Sequence, residues 1–316
     1  MKCIVTGAAG FIGSHISEKL IESSHEVIGI DCFTDYYARE LKMKNIEKLM
    51  SHKAFKLIDK NILDLNLKKL ISDADYIFHE AAQPGVRASW GESFDIYLRD
   101  NVMATQRILE ACKNTKIKKL IYASSSSVYG DCELPMREHL PVRPVSPYGV
   151  SKLAAENLCY LYWKNYNIPI TALRYFTVYG PRQRPDMAFN RFIRSIIKNE
   201  EIVVFGDGKQ TRDFTYVSDA VNANMLAMKS KVDWGVFNIG GGSRITLKEV
   251  IRIMEDTVGK KAKVRYIEKQ KGDVEHTIAD VSNAQDILNY KTSTNLADGL
   301  KKEYEWILEN RRFMGV

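Results

Sequence analysis

Short apolar runs alternate with amphipathic stretches through the first half of the chain. Residues 2–6 (KCIVT) form such a run; glycines follow, then FIGSHISEKLIES with helical spacing. Residues 26–30 (EVIGI), 54–58 (AFKLI), 75–79 (DYIFH), 118–124 (KKLIYAS) and 168–176 (IPITALRYF) repeat the run. Helical stretches separate them, notably 92–113 and 147–166. This rhythm predicts an α/β fold, a parallel sheet with crossover helices. The runs are continuously apolar, as in strands covered on both faces.

After Gly180 the rhythm changes. Residues 187–199 read as helix, 201–205 (EIVVF) as extended chain and GDGKQTRD as a turn. Residues 235–240 (GVFNIG) read as a strand returning to the main sheet. The tail from 246 to 316 predicts two or three helices and a short strand near 263–267. The expected division is a nucleotide-binding domain over 1–180, completed by the return strand, and a smaller C-terminal α/β substrate lobe over 181–316.

Composition narrows the class. Apolar residues make up 45% of 316, ample for a core. Lys plus Arg number 46 against 39 acidic residues, a formal charge of +7. The excess is spread along the chain with no basic arm, which argues against nucleic acid and suits an anionic small molecule. Cys3, Cys32, Cys112, Cys132 and Cys159 are odd in number and lack metal-ligand spacing, so a reducing, cytoplasmic setting and no metal are expected. Glycines interrupt the N-terminal apolar run, which reads as strand and turn rather than signal peptide. No apolar run reaches membrane-spanning length.

Gly7, Gly10 and Gly13, with Phe11 and Ile12 between the last two, give GxxGxxG between a strand and a helix. Such glycines allow a tight turn and close approach of a pyrophosphate to the helix N-terminus. In this context the parallel sheet reads as Rossmann-type. A tight turn packing helix on sheet is the plainer alternative. Asp31, ending the next strand, suits a ribose and repels a 2′-phosphate, so the expected cofactor is NAD rather than NADP. Asn61 and Ile62 follow the third strand and Ala81 and Ala82 the fourth, where a dinucleotide would pass; ordinary packing explains these four equally well.

Ser124, Ser125, Ser126 and Ser127 end the fifth strand, where unpartnered hydroxyls would be costly. Capping the next turn is their alternative role. Farther on, Pro147 opens a helix, which sets Tyr148 and Lys152 on one face as an i,i+4 pair. The lysine charge is expected to lower the phenol pKa, making Tyr148 a base for a substrate hydroxyl, with Ser125 orienting the same oxygen.

Together, GxxGxxG, the serine strand end, YxxxK, RYFTVYGP and GDGKQTRDF resemble, in their expected order and over essentially the whole chain, an extended short-chain dehydrogenase/reductase of the nucleotide-sugar epimerase kind. The resemblance implies that Tyr148 transfers the proton, Lys152 orients it and the cofactor, Ser125 assists, and Ser124 and Tyr175 join the cofactor set. It implies retained NAD, a transient 4-keto sugar and a homodimer paired through 92–113 and 147–166. Related dehydratases carry an acidic pair beside the active hydroxyl, and decarboxylases a glutamate where Ser127 stands; their absence favours C4 inversion. Thr177 with Pro181–Met187, and residues 33–42 (FTDYYARELK), resemble the UDP-glucuronate 4-epimerases. Ser126, Ser127 and Thr177 would offer hydroxyl donors to a C6 carboxylate. The resemblance assigns Arg212, with Arg184, to the diphosphate, Val204 and Phe205 to the uracil, and Arg87 to the fourth-strand loop near the reaction centre. A solvated face is the alternative for the arginines. UDP-glucose or UDP-N-acetylglucosamine epimerisation, UDP-glucuronate decarboxylation and non-catalytic NAD binding are the competing readings.

Overall fold

The computed structural model describes residues 1–316 apart from 243, 269–271 and 273. In chain order its strands are β1 (Lys2–Thr6), β2 (Glu26–Asp31), β3 (Phe55–Asp59), β4 (Tyr76–His79), β5 (Lys119–Ser125), β6 (Ile170–Tyr175), β7 (Thr177–Tyr179), β8 (Glu201–Phe205), β9 (Thr211–Tyr216), β10 (Trp234–Ile239), β11 (Arg244–Thr246) and β12 (Lys263–Ile267). Seven of them form one sheet in the order β10-β6-β5-β4-β1-β2-β3. Every pairing in it is parallel. The strand order reverses between β1 and β4, and at such a switch point the crevice beyond the strand C-termini is the binding site. This is the expected Rossmann-type sheet.

Apolar side chains cover both faces. Helices Phe11–Glu22, Arg39–Met50 and Val217–Lys229 pack into one core, with Val5, Phe78, Ile121 and Leu173. Helices Ala104–Cys112 and Pro147–Tyr166 pack into the other, with Ile4, Ile77, Leu120 and Tyr122. Adjacent residues of each strand thus go to opposite faces, which explains the unbroken apolar runs.

Helix Pro147–Tyr166 has the boundaries the sequence predicts, for local reasons. The Ser146 hydroxyl accepts from Gly149 N at 3.1 Å, and Pro147 opens the first turn. Asn167 ends it in a left-handed conformation, φ 53°. The run expected as one helix over 92–113 is instead α-helical over Phe94–Tyr97 and Ala104–Cys112, with a π segment, Leu98–Met103, between them. The extra residue in the turn carries Asn101 inward, where it bonds Gln83 and Ser151.

Two further differences concern the second half. The apolar run 168–176 ends its first sheet at Tyr175; Thr177–Tyr179 then pairs with β9 in a three-stranded sheet, β11-β9-β7. GDGKQTRD is a turn only as far as Gln210, because Thr211 begins β9. β8 pairs with β12. The tail holds four helices among the described residues, Leu247–Val258, Ser282–Leu288, Leu296–Glu309 and Arg311–Met314, rather than two or three. No described helix is long and apolar enough to cross a membrane.

Candidate active site

One elongated cavity follows the C-terminal edge of the sheet. Its wall begins at the glycine turn. Gly7 has φ +67°, and a Cβ there would lie 2.9 Å from Ala81 N; a Cβ on Gly13 would lie 2.2 Å from Gly7 O. The turn therefore needs glycine at both positions to close against β4 and its own helix. Gly10 caps that helix with no side-chain acceptor, so backbone N–H groups of the first turn supply the local positive potential. Gly7, Gly10, Phe11, Ile12 and Gly13 all line the cavity.

Asp31, at the end of β2, forms the next part of the wall. Its carboxylate accepts from Ala9 N at 3.1 Å and Phe33 N at 2.9 Å. Burial raises its pKa, opposed by the Phe33 N–H and the Lys42 charge. Asn61, Ile62, Ala81 and Ala82 line the same cavity, as do Ser124 and Tyr175. The glycine cradle, the uncapped helix end and the carboxylate beyond it fit a dinucleotide with an unphosphorylated ribose.

At the far end stand Tyr148, Lys152 and Arg184. Ser125 stands beside Tyr148 and favours its ionised form, and its hydroxyl accepts from Ser127 N at 3.1 Å. The Tyr97 ring meets Tyr148 edge-on at 6.3 Å and fixes its plane. Burial pushes the Tyr148 phenol up; the Ser125 hydrogen bond and the Arg184 charge oppose that push. Arg184 thus adds a charge on Tyr148 that the helix spacing alone does not suggest. Lys152 instead donates to Ala123 O at 2.6 Å, and burial lowers its pKa to about 8, against the supporting charge of Glu80.

The remaining residues expected at the substrate scatter more widely. Arg184 lines the cavity next to Tyr148 and is clamped by Asp186 at 3.0 and 3.1 Å, while Tyr36 reaches the same carboxylate at 3.3 Å. Arg212 lies on β9 outside the cavity lining and donates to Thr211 O and Glu275 O. Arg87 lies over the Phe205 ring at 4.0 Å, which joins two residues expected on separate grounds. Val204 is 1% exposed and its side chain belongs to the core, leaving the end of β8 to Phe205. Ser126 and Ser127 are half-buried past β5, and Thr177 is half-buried at the start of β7.

Sequence reasoning missed several groups. Glu80 lines the cavity, accepts from Tyr175 Oη at 3.0 Å, and is pushed up to about 7 by burial. A charged residue directly after an apolar strand was its available signal. Thr6 Oγ1 accepts from Ala81 N at 3.1 Å and meets His79 Nδ1 at 2.8 Å; His79 Nε2 meets Thr105 Oγ1 at 2.9 Å. Thr105 donates to Asn101 O, so it accepts from a neutral His79 protonated at Nε2. Burial pulls His79 down to about 3. This chain of bonds holds the β4 loop against the glycine turn.

The family described as "NAD dependent epimerase/dehydratase family" matches residues 3–240. An uncharacterised UDP-glucose epimerase, YtcB, of Bacillus subtilis (strain 168) is 45% identical over 309 residues, covering 97% of this chain and 98% of its own. The UDP-glucuronate 4-epimerase of Thermodesulfobacterium geofontis (strain OPF15) is 38% identical over 312 residues, covering 97% and 96%. The crystal structure of UDP-glucuronic acid 4-epimerase from Bacillus cereus, in complex with UDP-glucuronic acid and NAD, superposes with a TM-score of 0.96 at 45% identity, covering 98% of this chain and 100% of that one. With its glycine turn, Asp31 and the Tyr148–Lys152 pair on one cavity, the chain belongs to the NAD dependent epimerase/dehydratase family.

Proposed function

We propose that the protein is an NAD-dependent UDP-glucuronate 4-epimerase that interconverts UDP-glucuronate and UDP-galacturonate. The observation that carries the reading is the single cavity joining the glycine turn and Asp31 to Tyr148, Lys152 and Arg184. The likeness to the Bacillus cereus enzyme, solved with UDP-glucuronic acid and NAD, supports the choice of sugar and cofactor.

Gly7, Gly10, Phe11, Ile12 and Gly13 hold the cofactor's pyrophosphate, Asp31 its adenosine ribose, and Asn61, Ile62, Ala81, Ala82, Ser124 and Tyr175 line its course. When bound, NAD supplies reversible hydride acceptance, which the protein positions but does not itself perform. Tyr148 takes the proton of the sugar C4 hydroxyl and later returns it to the same C4 oxygen, restoring the hydroxyl in inverted configuration. Ser125 and Arg184 stabilise the phenolate that this requires. Ser126, Ser127 and Thr177 hold the C6 carboxylate by hydroxyl donors, and Arg87, Phe205, Val204 and Arg212 belong to the nucleotide end. Tight binding of the nucleotide retains the 4-keto sugar while it turns to present its opposite face.

The division of labour follows the same line. Residues 1–180 carry the cofactor, with the return strand completing their sheet, and 181–316 carry most nucleotide-sugar contacts; the cavity lining, drawn from residues up to Arg184, supports the first half of that statement. We place the enzyme in the cytoplasm as a homodimer, on its five free cysteines and on exposed apolar side chains along two neighbouring helices.

A second reading, epimerisation of a neutral UDP-hexose, is favoured by the Bacillus subtilis relative's name. A parallel assay of UDP-glucuronate, UDP-glucose and UDP-N-acetylglucosamine, with NMR of the products and a carbon dioxide trap, separates them. UDP-galacturonate is expected to dominate with little carbon dioxide. Thr177→Ala should slow the acidic substrate by one to two decades and spare neutral sugars, since a hydrogen bond to a charged group is worth about 1.5–3 kcal/mol. Preference for a neutral sugar, or equal losses on both, would refute the carboxylate assignment.

A further inference from the structure

Glu80 directly follows β4, where the sheet edge opens into the cavity, and it lines that cavity with Tyr148, Lys152 and Tyr175. His79 pairs with Tyr122 across the β4–β5 ladder, which sets Glu80 beside Ala123. Lys152 arrives from the helix on the opposite face of the sheet and donates to Ala123 O at 2.6 Å. Carboxylate and ammonium are therefore brought to the same strand end, beside Ala123. Tyr175 orients the carboxylate. Its hydroxyl accepts from Asn224 Nδ2 at 2.6 Å, which leaves its own proton for Glu80 Oε1 at 3.0 Å. Asn224 is anchored in turn by donating to Ala220 O at 2.9 Å. The bonds run one way and end on Glu80 as acceptor, which favours its ionised form. Proton transfer through Tyr148 makes no use of Glu80.

We propose that Glu80 is a positioning residue whose carboxylate is the counter-charge that keeps Lys152 an ammonium beside Tyr148. Its consequence for turnover rests on the epimerase reading above; the charge pairing itself does not. Burial works against both ions, pushing Glu80 up to about 7 and Lys152 down to about 8, and each charge supports the other. The other titratable groups facing the pair are Glu156 and Cys159 from the lysine's own helix, Tyr122 from β5 and Tyr175 from β6. His79, next in the chain, is neutral, and Arg184 acts on Tyr148. Removing the negative charge of Glu80 must therefore lower the Lys152 pKa.

The test is a carbon-13 NMR titration of the as-purified holoenzyme labelled at lysine Cε, with the Lys152 resonance identified by its loss in Lys152→Met. In Glu80→Gln the Lys152 midpoint should fall by about one unit or more, the usual effect of an opposite charge at close range. The alkaline limb of the kcat profile should move down with it. Tyr175→Phe removes the donor to Glu80 but leaves the carboxylate, and should lower the midpoint by less. An unchanged Lys152 midpoint in folded Glu80→Gln would overturn the proposal. Should that variant fail to fold, an unchanged midpoint in folded Glu80→Ala would do the same. An unmoved midpoint with full epimerase activity refutes the role of Glu80 alone. A moved midpoint in a protein that turns over no nucleotide sugar sustains the pairing and refutes the epimerase reading alone.

Discussion

Tyr148 is half-buried beside the cavity, where desolvation makes its phenol a weaker acid while Ser125 and Arg184 favour its ionised form, the form that the proposed base requires. Tyr148→Phe removes that proton carrier and almost no volume. It should lower kcat on UDP-glucuronate by about 10²–10⁴-fold, the usual worth of a positioned acid/base. Nucleotide released by heat should still be NAD(H), not NADP(H), and the melting temperature should hold. Near-normal turnover would remove Tyr148 from its role. This residue, with Lys152, the glycines and Asp31, was legible because its partners lie at fixed short spacing or at the end of the adjacent strand. Glu80 was not: a charge after an apolar strand marks little more than the strand's end, and Tyr175, its hydrogen-bond donor, comes from another strand 95 residues away. Thr6, His79 and Thr105 were hidden for the same reason. Arg184 was legible as a site residue, but its action on Tyr148 was not, because the turn after Gly180 decides what it reaches.

At the scale of elements, periodicity told strands from helices well and misread the points where a continuous pattern changes partner. The run ending at Phe176 is apolar throughout, yet Phe176 N bonds Ile239 O while Thr177 begins pairing with β9. A π segment keeps the amphipathic pattern of its flanking helices, so Leu98–Met103 gave no warning either. The junction after β7 is held by helix Leu296–Glu309: Glu303 Oε2 accepts from Gly180 N at 2.9 Å, and the side chain is fully buried. Burial raises the Glu303 pKa well above its ordinary value. A carboxyl whose folded pKa lies above the unfolded one favours the folded state fully only below the unfolded value, near 4.3, and loses that contribution as pH rises toward the folded pKa. Glu303→Gln keeps an acceptor for Gly180 N and does not titrate. The melting temperature of the variant minus that of the wild type should therefore grow more positive from pH 5 to pH 8. A difference that stays flat would mean that Glu303 ionises alike in both states.

The whole molecule places its cavity and a bare apolar surface on different parts of the same helices. Pro147–Tyr166 presents Tyr148 and Lys152 to the cavity near its start, while Val150 and Leu161, about three turns apart and so on one face, are 45% and 49% exposed. On the neighbouring helical run Leu98 and Met103 are 44% and 49% exposed. Asn101 Nδ2 bonds Ser151 Oγ at 2.9 Å, which ties the two helices into one unit. Apolar side chains grouped in this way on paired helices suit self-association about a two-fold axis, in which each residue is buried twice. A protein of 36.1 kDa per chain should then scatter light at micromolar concentration as about twice that mass. Burying one leucine is worth about 1.5–3 kcal/mol, so Leu161→Glu removes at least twice that from the dimer and adds two buried charges. The variant should run as a monomer and still release NAD(H) on heating, since the cavity is lined from within one chain. A wild-type mass of one chain, or a Leu161→Glu protein that remains dimeric, would show that this face does not join two copies.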